Sequence, residues 1–259
     1  MSGMSWAMRR RILYAVGMAL FLLIVIGGPI AYTILKTPPT CTDGVQNQSE
    51  TAIDRGGPCP LLDSRAQQAP VVMWTRSFRV RDNAYNAIAY VQNPNTGASA
   101  ANLTYRFRLY DADNVLVADR EGAMYLAPNT ITPVFEGAIS SGNRIATRAF
   151  FDFLDAPVWQ VGSDSAAKAF IISNKDISGV TIAPSVSATL TNTSTNIAYN
   201  LVVTAVVFDP SGNAIAASKT VVPRMAPGEA KQLVFTWPDP FRSTVGRVDI
   251  VPVLPAPQQ

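Results

Sequence analysis

Hydrophobic and polar positions divide this chain into one long apolar segment followed by many short alternating segments. Residues 12–35 contain no charged side chain. At about 1.5 Å per residue they form a helix of about 36 Å, enough to cross a bilayer core of about 30 Å. We therefore expect a transmembrane helix over 12–35, kinked near Gly27, Gly28 and Pro29, where backbone hydrogen bonding is interrupted.

Alternation with a period of two begins near Val71. In the run ANLTYRFRLYD, one face carries Leu103, Tyr105, Phe107 and Leu109, and the other carries Asn102, Thr104, Arg106 and Arg108. This period is typical of a strand with one buried and one solvated face. Because no helical period of any length follows Val71, the pattern predicts an all-β region.

The β pattern occurs twice. The stretch from Asn102 to Thr130 aligns with the stretch that begins at Asn200, 98 residues later. A repeat of this length indicates a duplicated domain rather than a solenoid, whose units are usually about 20–50 residues. We expect two β-sandwiches, 71–162 and 163–253, and a Pro-rich tail, 254–259.

The strand ending before the first turn carries a short signature. Phe107, Leu109, Tyr110 and Asp111 resemble the motif of FxLYD-type domains, which are small immunoglobulin-like sandwiches found mostly in bacterial and archaeal envelope proteins. The second copy keeps Asp209, has Phe208 in place of the tyrosine, and departs from the motif at Ala205 and Val207. The resemblance implies an immunoglobulin-like fold in both copies and brings no catalytic residue with it. We expect Phe107 and Leu109 to fill the space between the sheets, where burial stabilises by about 1.5–3 kcal/mol each.

A segment rich in proline and glycine, 36–70, joins the helix to the first predicted sandwich. Such composition favours extended, loop-rich structure, so we expect a stalk. Both cysteines of the chain, Cys41 and Cys59, lie in it. If the segment lies outside the cytoplasm, we expect the two to form a disulfide.

The same segment resembles a cysteine-rich module of bacterial surface proteins with the pattern C-x-D-G-x-x-N-x-x-E-T-x-x-D-C-G-G-x-C-x-x-C. Two of its four cysteines are replaced here, by Arg55 and Leu62, which leaves Cys41 and Cys59 as the remaining pair. Its polar positions are Asp43, Asn47, Glu50 and Asp54. Carboxylate and amide oxygens in a closed loop suit calcium, which needs six to eight oxygen ligands. The competing interpretation, which we favour, is that these side chains only stabilise turns.

Charge and composition reduce the number of functions that the chain could have. Four of the 21 basic residues and none of the 18 acidic residues lie in the first 36 positions, so the remainder carries 17 basic residues and a net charge of −1. Such a balance argues against nucleic-acid binding, which needs a basic surface. The chain contains no histidine, which removes the commonest general base and every imidazole metal ligand. We therefore expect a protein that is not an enzyme.

Orientation follows from the residues beside the apolar segment. Arg9, Arg10 and Arg11 precede it, and only Lys36 follows. The positive-inside rule places 1–11 in the cytoplasm and everything after Lys36 outside. A cleaved signal peptide is the alternative, although its apolar core would be about 7–15 residues long.

The sequence thus predicts a single-pass protein of a bacterial cell membrane that acts by binding other envelope proteins. One alternative is a calcium-binding surface or adhesion module. Another is a carbohydrate-binding protein or an enzyme accessory domain with a groove between the sandwiches. A set of arginines on predicted strands also suggests a basic face for acidic polymers or lipid headgroups, although strand alternation by itself places such residues in solvent: Arg76, Arg79, Arg81, Arg106 and Arg108.

Overall fold

The structure is a computed structural model that describes residues 6–35, 39–163 and 167–253. The predicted tail 254–259 and the first five residues of the predicted cytoplasmic segment lie outside this part of the chain. The N-terminal helix runs from α1, Trp6–Leu22, through a π-helical turn at Leu23–Gly27 into α2, Gly28–Leu35. Pro29 has no N–H and its ring would clash with the carbonyl four residues earlier, so the extra residue per turn accommodates it.

Thirteen strands follow the helix in the described part of the chain. The first seven are β1 Val71–Arg81, β2 Ala84–Asn93, β3 Ala98–Tyr110, β4 Leu116–Leu126, β5 Thr130–Ser140, β6 Arg148–Phe153 and β7 Trp159–Val161. The other six are β8 Phe170–Ser178, β9 Ser185–Asn192, β10 Ala198–Phe208, β11 Ala214–Met225, β12 Ala230–Thr236 and β13 Arg247–Val253.

The strands form four antiparallel sheets, two for each sandwich. In the first sandwich, β1-β2-β5 faces β4-β3-β6, and β7 pairs with the start of β3. In the second, β12-β9-β8 faces β11-β10-β13. The predicted all-β class, with two tandem immunoglobulin-like β-sandwiches after an apolar N-terminal helix, is confirmed.

Each sandwich has its own hydrophobic core. The alternating residues of β3 point into the first core, where Phe107 and Leu109 are fully buried. The equivalent positions of β10, from Leu201 to Val207, point into the second core with Val186 and Phe235. A third apolar cluster lies between the sandwiches and joins β2 of the first to β10 and β11 of the second.

Two buried asparagines hold equivalent turns in the two copies. Asn93 and Asn192 are both 0% exposed. The Asn93 amide donates to the carbonyls of Ala98 and Ala127, at 2.7 and 2.9 Å. The Asn192 amide donates to the carbonyl of Asn196 at 2.9 Å and to those of Met225 and Ala226. Because an unpaired buried carbonyl is costly, one side chain fixes two separate segments in each copy.

Candidate functional site

The cysteine-containing segment is closed by a disulfide and attached to the first sandwich. Cys41 and Cys59 are bonded. Leu62 donates its N–H to the carbonyl of Trp159 at 2.9 Å and packs against the first core, and Leu61 bridges to Gln160 of β7. The segment is loop-rich, as its composition predicts, but these contacts dock its last residues on a sheet edge.

The four predicted calcium ligands lie in the disulfide-closed loop. Asp43 accepts the side-chain N–H of Asn47 at 2.9 Å and the backbone N–H of Val45 at 2.9 Å. Both oxygens of Asp54 accept the N–H of Gly44. The asparagine bond is the main reason that the pKa of Asp43 lies below its usual value.

Glu50 is the buried member of that set, at 6% exposed. Its Oε2 accepts the backbone N–H groups of Asn47 and Asp54, each at 3.2 Å. Its Oε1 lies 3.1 Å from Sγ of Cys59, which has no proton to share because it is part of the disulfide. For the same reason Cys41, Glu50 and Cys59, although close together, are not a thiolate metal site. The carboxylates of Asp43, Glu50 and Asp54 thus accept N–H groups of the turns. Within this loop, the buried Oδ1 of Asn47 has no hydrogen-bond donor among the described residues.

The FxLYD-like residues divide between the core and the turn. Phe107 and Leu109 point inward, whereas Tyr110 points outward and its ring meets that of Phe150 edge-on at 5.6 Å. Asp111 is buried and accepts the N–H groups of Val115 and Asp113 at 2.9 and 3.0 Å. The Val115 bond is the main reason that the pKa of Asp111 lies below its usual value.

Asp209 repeats this turn in the second copy. It accepts the backbone N–H of Asn213 at 2.8 Å, and that bond lowers its pKa in the same way. Phe208, by contrast, lies outside the second core. It is 2% exposed because it is covered by the first sandwich.

An aromatic cluster forms the interface between the sandwiches. Trp74 stacks on Tyr90 with 4.5 Å between ring centroids, and both meet Phe208 edge-on, at 6.0 and 6.2 Å. The guanidinium of Arg247 lies 3.8 Å from the centroid of Phe208. Burial, and then the charge of Asp249, raise the pKa of the Tyr90 hydroxyl. Trp74 thus packs between the domains rather than within one.

A sequence signal for this interface exists in the repeat. The outward positions of β3 are Arg106, Arg108 and Tyr110, whereas the aligned positions of β10 are Thr204, Val206 and Phe208. The second copy therefore loses the alternation of the first and has an almost continuous apolar run. Such a run is typical of a strand that is buried on both faces.

A groove lies beside this aromatic interface and is lined by both sandwiches. It has a volume of about 730 Å³, and β1, β6, the β10–β11 turn and the loop before β13 contribute to it. Its charged residues are Arg76, Arg148, Arg242 and Asp209. Arg76 donates to Oδ1 of Asn213 at 3.0 Å, a contact that crosses the interface.

The predicted basic face does not form one surface. Arg79 pairs with Asp82, Arg106 with Glu121, and Arg108 with Asp152. These pairs are exposed, and such pairs are typical of a solvated sheet face. Arg76 differs because it lines the groove, where Arg148 and Arg242, two residues not singled out from the sequence, join it.

Comparison with known proteins gives no family for this chain: no protein-family model and no curated protein matches it. It is similar to part of the red sea bream transglutaminase, with 10% identity and a TM-score of 0.25, over 75% of this chain and 32% of that one. A β-glucuronidase of Bacteroides uniformis has 14% sequence identity and a TM-score of 0.20, over 67% of this chain and 22% of that one. An exo-chitosanase of Amycolatopsis orientalis has 13% sequence identity and a TM-score of 0.17, over 69% of this chain and 26% of that one. The chain spans only 22% to 32% of the length of these proteins, and similarity this weak says nothing about its activity.

Proposed function

We propose that the chain is a single-pass membrane protein that holds its two sandwiches outside the cytoplasm and acts as a non-enzymatic scaffold in a bacterial envelope. The observation that carries the proposal is the helix Trp6–Tyr32, which is apolar, long enough to span a bilayer, and has none of its apolar window buried by the rest of the protein. Leu13 and Leu23, for example, are 71% and 69% exposed. Burying so much apolar surface in lipid is strongly favourable.

Two further features support the orientation. Arg9, Arg10 and Arg11 lie at the N-terminal side of the apolar segment, where the positive-inside rule places the cytoplasm. The Cys41–Cys59 disulfide lies on the other side, and disulfides persist in oxidising compartments.

Two observations support a binding role over catalysis. The chain has no histidine, and the one carboxylate of the groove, Asp209, has a lowered pKa and so stays ionised near neutral pH. A general acid or base needs a pKa near the working pH. The aromatic interface also fixes the two sandwiches together, so they present one continuous surface to other envelope proteins.

Topology is the decisive test. Full-length protein in spheroplast membranes is treated with trypsin and analysed by mass spectrometry, before and after lysis. We expect the sandwiches to be cut in intact spheroplasts, and the uncut chain to retain its helix and to resist alkaline extraction. A charge-reversed variant, Arg9→Glu with Arg10→Glu and Arg11→Glu, should lose part of this accessibility. Protection of the sandwiches, or a chain that lacks the helix, would contradict the proposal.

A calcium-binding loop is the second candidate function, and one observation favours it. Asn47 Oδ1 is buried without a donor among the described residues, beside Asp43 and in the same loop as Glu50 and Asp54. Calorimetry of the full chain in detergent should show heat at millimolar calcium, and Asn47→Ala should remove it. If calcium gives no binding heat with the unmodified protein, the loop does not bind calcium.

A further inference from the structure

The groove between the sandwiches carries an excess of positive charge that the described part of the chain does not neutralise. Arg76, Arg148 and Arg242 face a single carboxylate, Asp209. None of the three lies within ion-pair distance of a carboxylate among the described residues, although the charge of Arg76 helps to lower the pKa of Asp209. Arg148 donates to the carbonyl of Asp111 at 3.3 Å, and Arg242 is exposed. A guanidinium has five N–H donors, so most of the donors around this groove are free for a ligand.

The groove is held open by packing rather than by loops alone. Arg76 lies on β1 and Arg148 begins β6, and both strands belong to the first sandwich. The β10–β11 turn and Arg242 come from the second sandwich, which the Trp74–Tyr90–Phe208 cluster fixes against the first. The backbone of Arg76 and Arg148 lies on strands, so the geometry of this side of the groove exists before the ligand arrives, which lowers the cost of ordering it.

We propose that this groove binds an acidic polysaccharide whose sugars carry carboxylate groups. The proposal rests on the proposed function in one respect, since such polymers occur outside the membrane. The planar fork of arginine matches a carboxylate with two parallel hydrogen bonds, which makes it the preferred cation for this group. The groove is open to solvent rather than enclosed, so a segment of a long polymer can reach it.

The uncharged lining of the groove suits a sugar. Phe150 lines it and is 47% exposed, so its ring offers a flat apolar surface for the C–H groups of a sugar ring. Ser77 and Ser243 contribute hydroxyl groups that can both donate and accept hydrogen bonds with sugar hydroxyls. The groove volume of about 730 Å³ lies within the usual range of about 300–1,000 Å³ for ligand sites.

Affinity electrophoresis of the detergent-solubilised full chain tests the proposal, with polygalacturonate, neutral dextran or polyphosphate in the gel. We expect retardation by polygalacturonate, weaker retardation by polyphosphate and none by dextran. Arg242→Glu should weaken polygalacturonate binding about 10-fold or more, because it replaces a charge-assisted contact with repulsion. Arg242 is exposed and its side chain has no hydrogen bond or ion pair among the described residues, so we expect this change to leave the fold unchanged.

Arg81→Glu is the matched control, because Arg81 is exposed, lies on β1 and is outside the groove. It makes the same change in net charge, and we expect its affinity to stay within about twofold of the unmodified protein, since Arg81 lies outside the groove and does not contact a ligand bound there. An equal loss of affinity for polygalacturonate in the two variants would mean that the polymer is attracted by the overall charge of the protein, and it would contradict a binding site in the groove. So would the absence of retardation at low salt, equal retardation by dextran, or tighter binding of polyphosphate.

This test separates the two proposals. Binding is measured in detergent solution and does not depend on which side of a membrane the groove faces. If polygalacturonate binds but the sandwiches are protected from trypsin in spheroplasts, the groove assignment stands and the topology is wrong. If the sandwiches are cut in spheroplasts but polygalacturonate does not bind, the proposed topology is supported and the proposed polysaccharide ligand is wrong.

Discussion

Trp74 of the first sandwich meets Phe208 of the second edge-on, with 6.0 Å between their ring centroids. The contact joins an edge strand of one domain, β1, to the end of β10 in the other. Phe208 occupies the position that Tyr110 has in the first copy, where the side chain faces outward. One repeated position thus serves two purposes, according to what covers that face of the sheet.

Phe208→Ala is expected to loosen the pair of domains. It removes a fully buried ring and leaves a cavity beside Trp74 and Tyr90, at a cost of about 3–5 kcal/mol. Urea unfolding followed by tryptophan emission measures the loss, and the emission of Trp74 should shift to the red. Tyr110→Ala, at the aligned outward position, should cost no more than about 1 kcal/mol. Similar losses for the two variants would contradict a domain interface at Phe208.

Removing the disulfide should expose one local cleavage site. The bridge joins residues 18 apart, and closing a loop of this size stabilises by about 3 kcal/mol. In a Cys41→Ser, Cys59→Ser variant, trypsin should cut after Arg55, inside the loop, much faster than in the unmodified protein. Cleavage after Arg65, which lies outside the loop and is exposed in the intact protein, is the internal control and should keep its rate. Unchanged cutting at Arg55 on reducing gels would show that the loop is held without its bridge.

Asn192→Ala should destabilise the second sandwich. The amide of Asn192 is the donor to the carbonyls of Met225 and Ala226, which join two distant segments. Leaving buried carbonyls without a donor costs about 1–3 kcal/mol. The neighbouring Asn196→Ala removes an exposed side chain and should stay within about 0.5 kcal/mol of the unmodified protein. Chemical unfolding of both variants gives the comparison, and equal stabilities would refute the role of the amide.

The free energy of unfolding should fall as the solution becomes acidic. The pKa values of Asp111 and Asp209 are lowered in the folded protein because backbone N–H groups of their turns bind the ionised form. The contribution is fully present above the unfolded pKa of about 3.9 and is lost as pH falls through the lower folded values. A double variant, Asp111→Asn with Asp209→Asn, should therefore show a flatter profile between about pH 5 and pH 2.

Asp119→Asn is the control for the pH experiment, since Asp119 is exposed and its side chain has no hydrogen bond or ion pair within the described ranges. Its unfolding profile should follow that of the unmodified protein. If the double variant kept the full slope, the acid sensitivity would come from other carboxylates.

The sequence by itself determined the strands and their inward faces. The alternation of Leu103, Tyr105, Phe107 and Leu109 placed these residues in a core, and the repeat at Asn200 predicted a second domain of the same kind. It also defined the apolar helix and the two cysteines that are bonded. Each of these inferences depends on residues close together in the chain or on a period that backbone geometry fixes.

Only the tertiary structure decided what covers the outer faces. The hydrophobic effect is not directional. An apolar run such as Val202–Phe208 therefore predicts that the second face of the strand is buried, but it does not predict which surface covers that face. Packing of that face against β1 and β2 brings Arg242 into the same groove as Arg76, 166 positions away in sequence. No local pattern encodes that proximity, because it arises from the packing of one sandwich against the other.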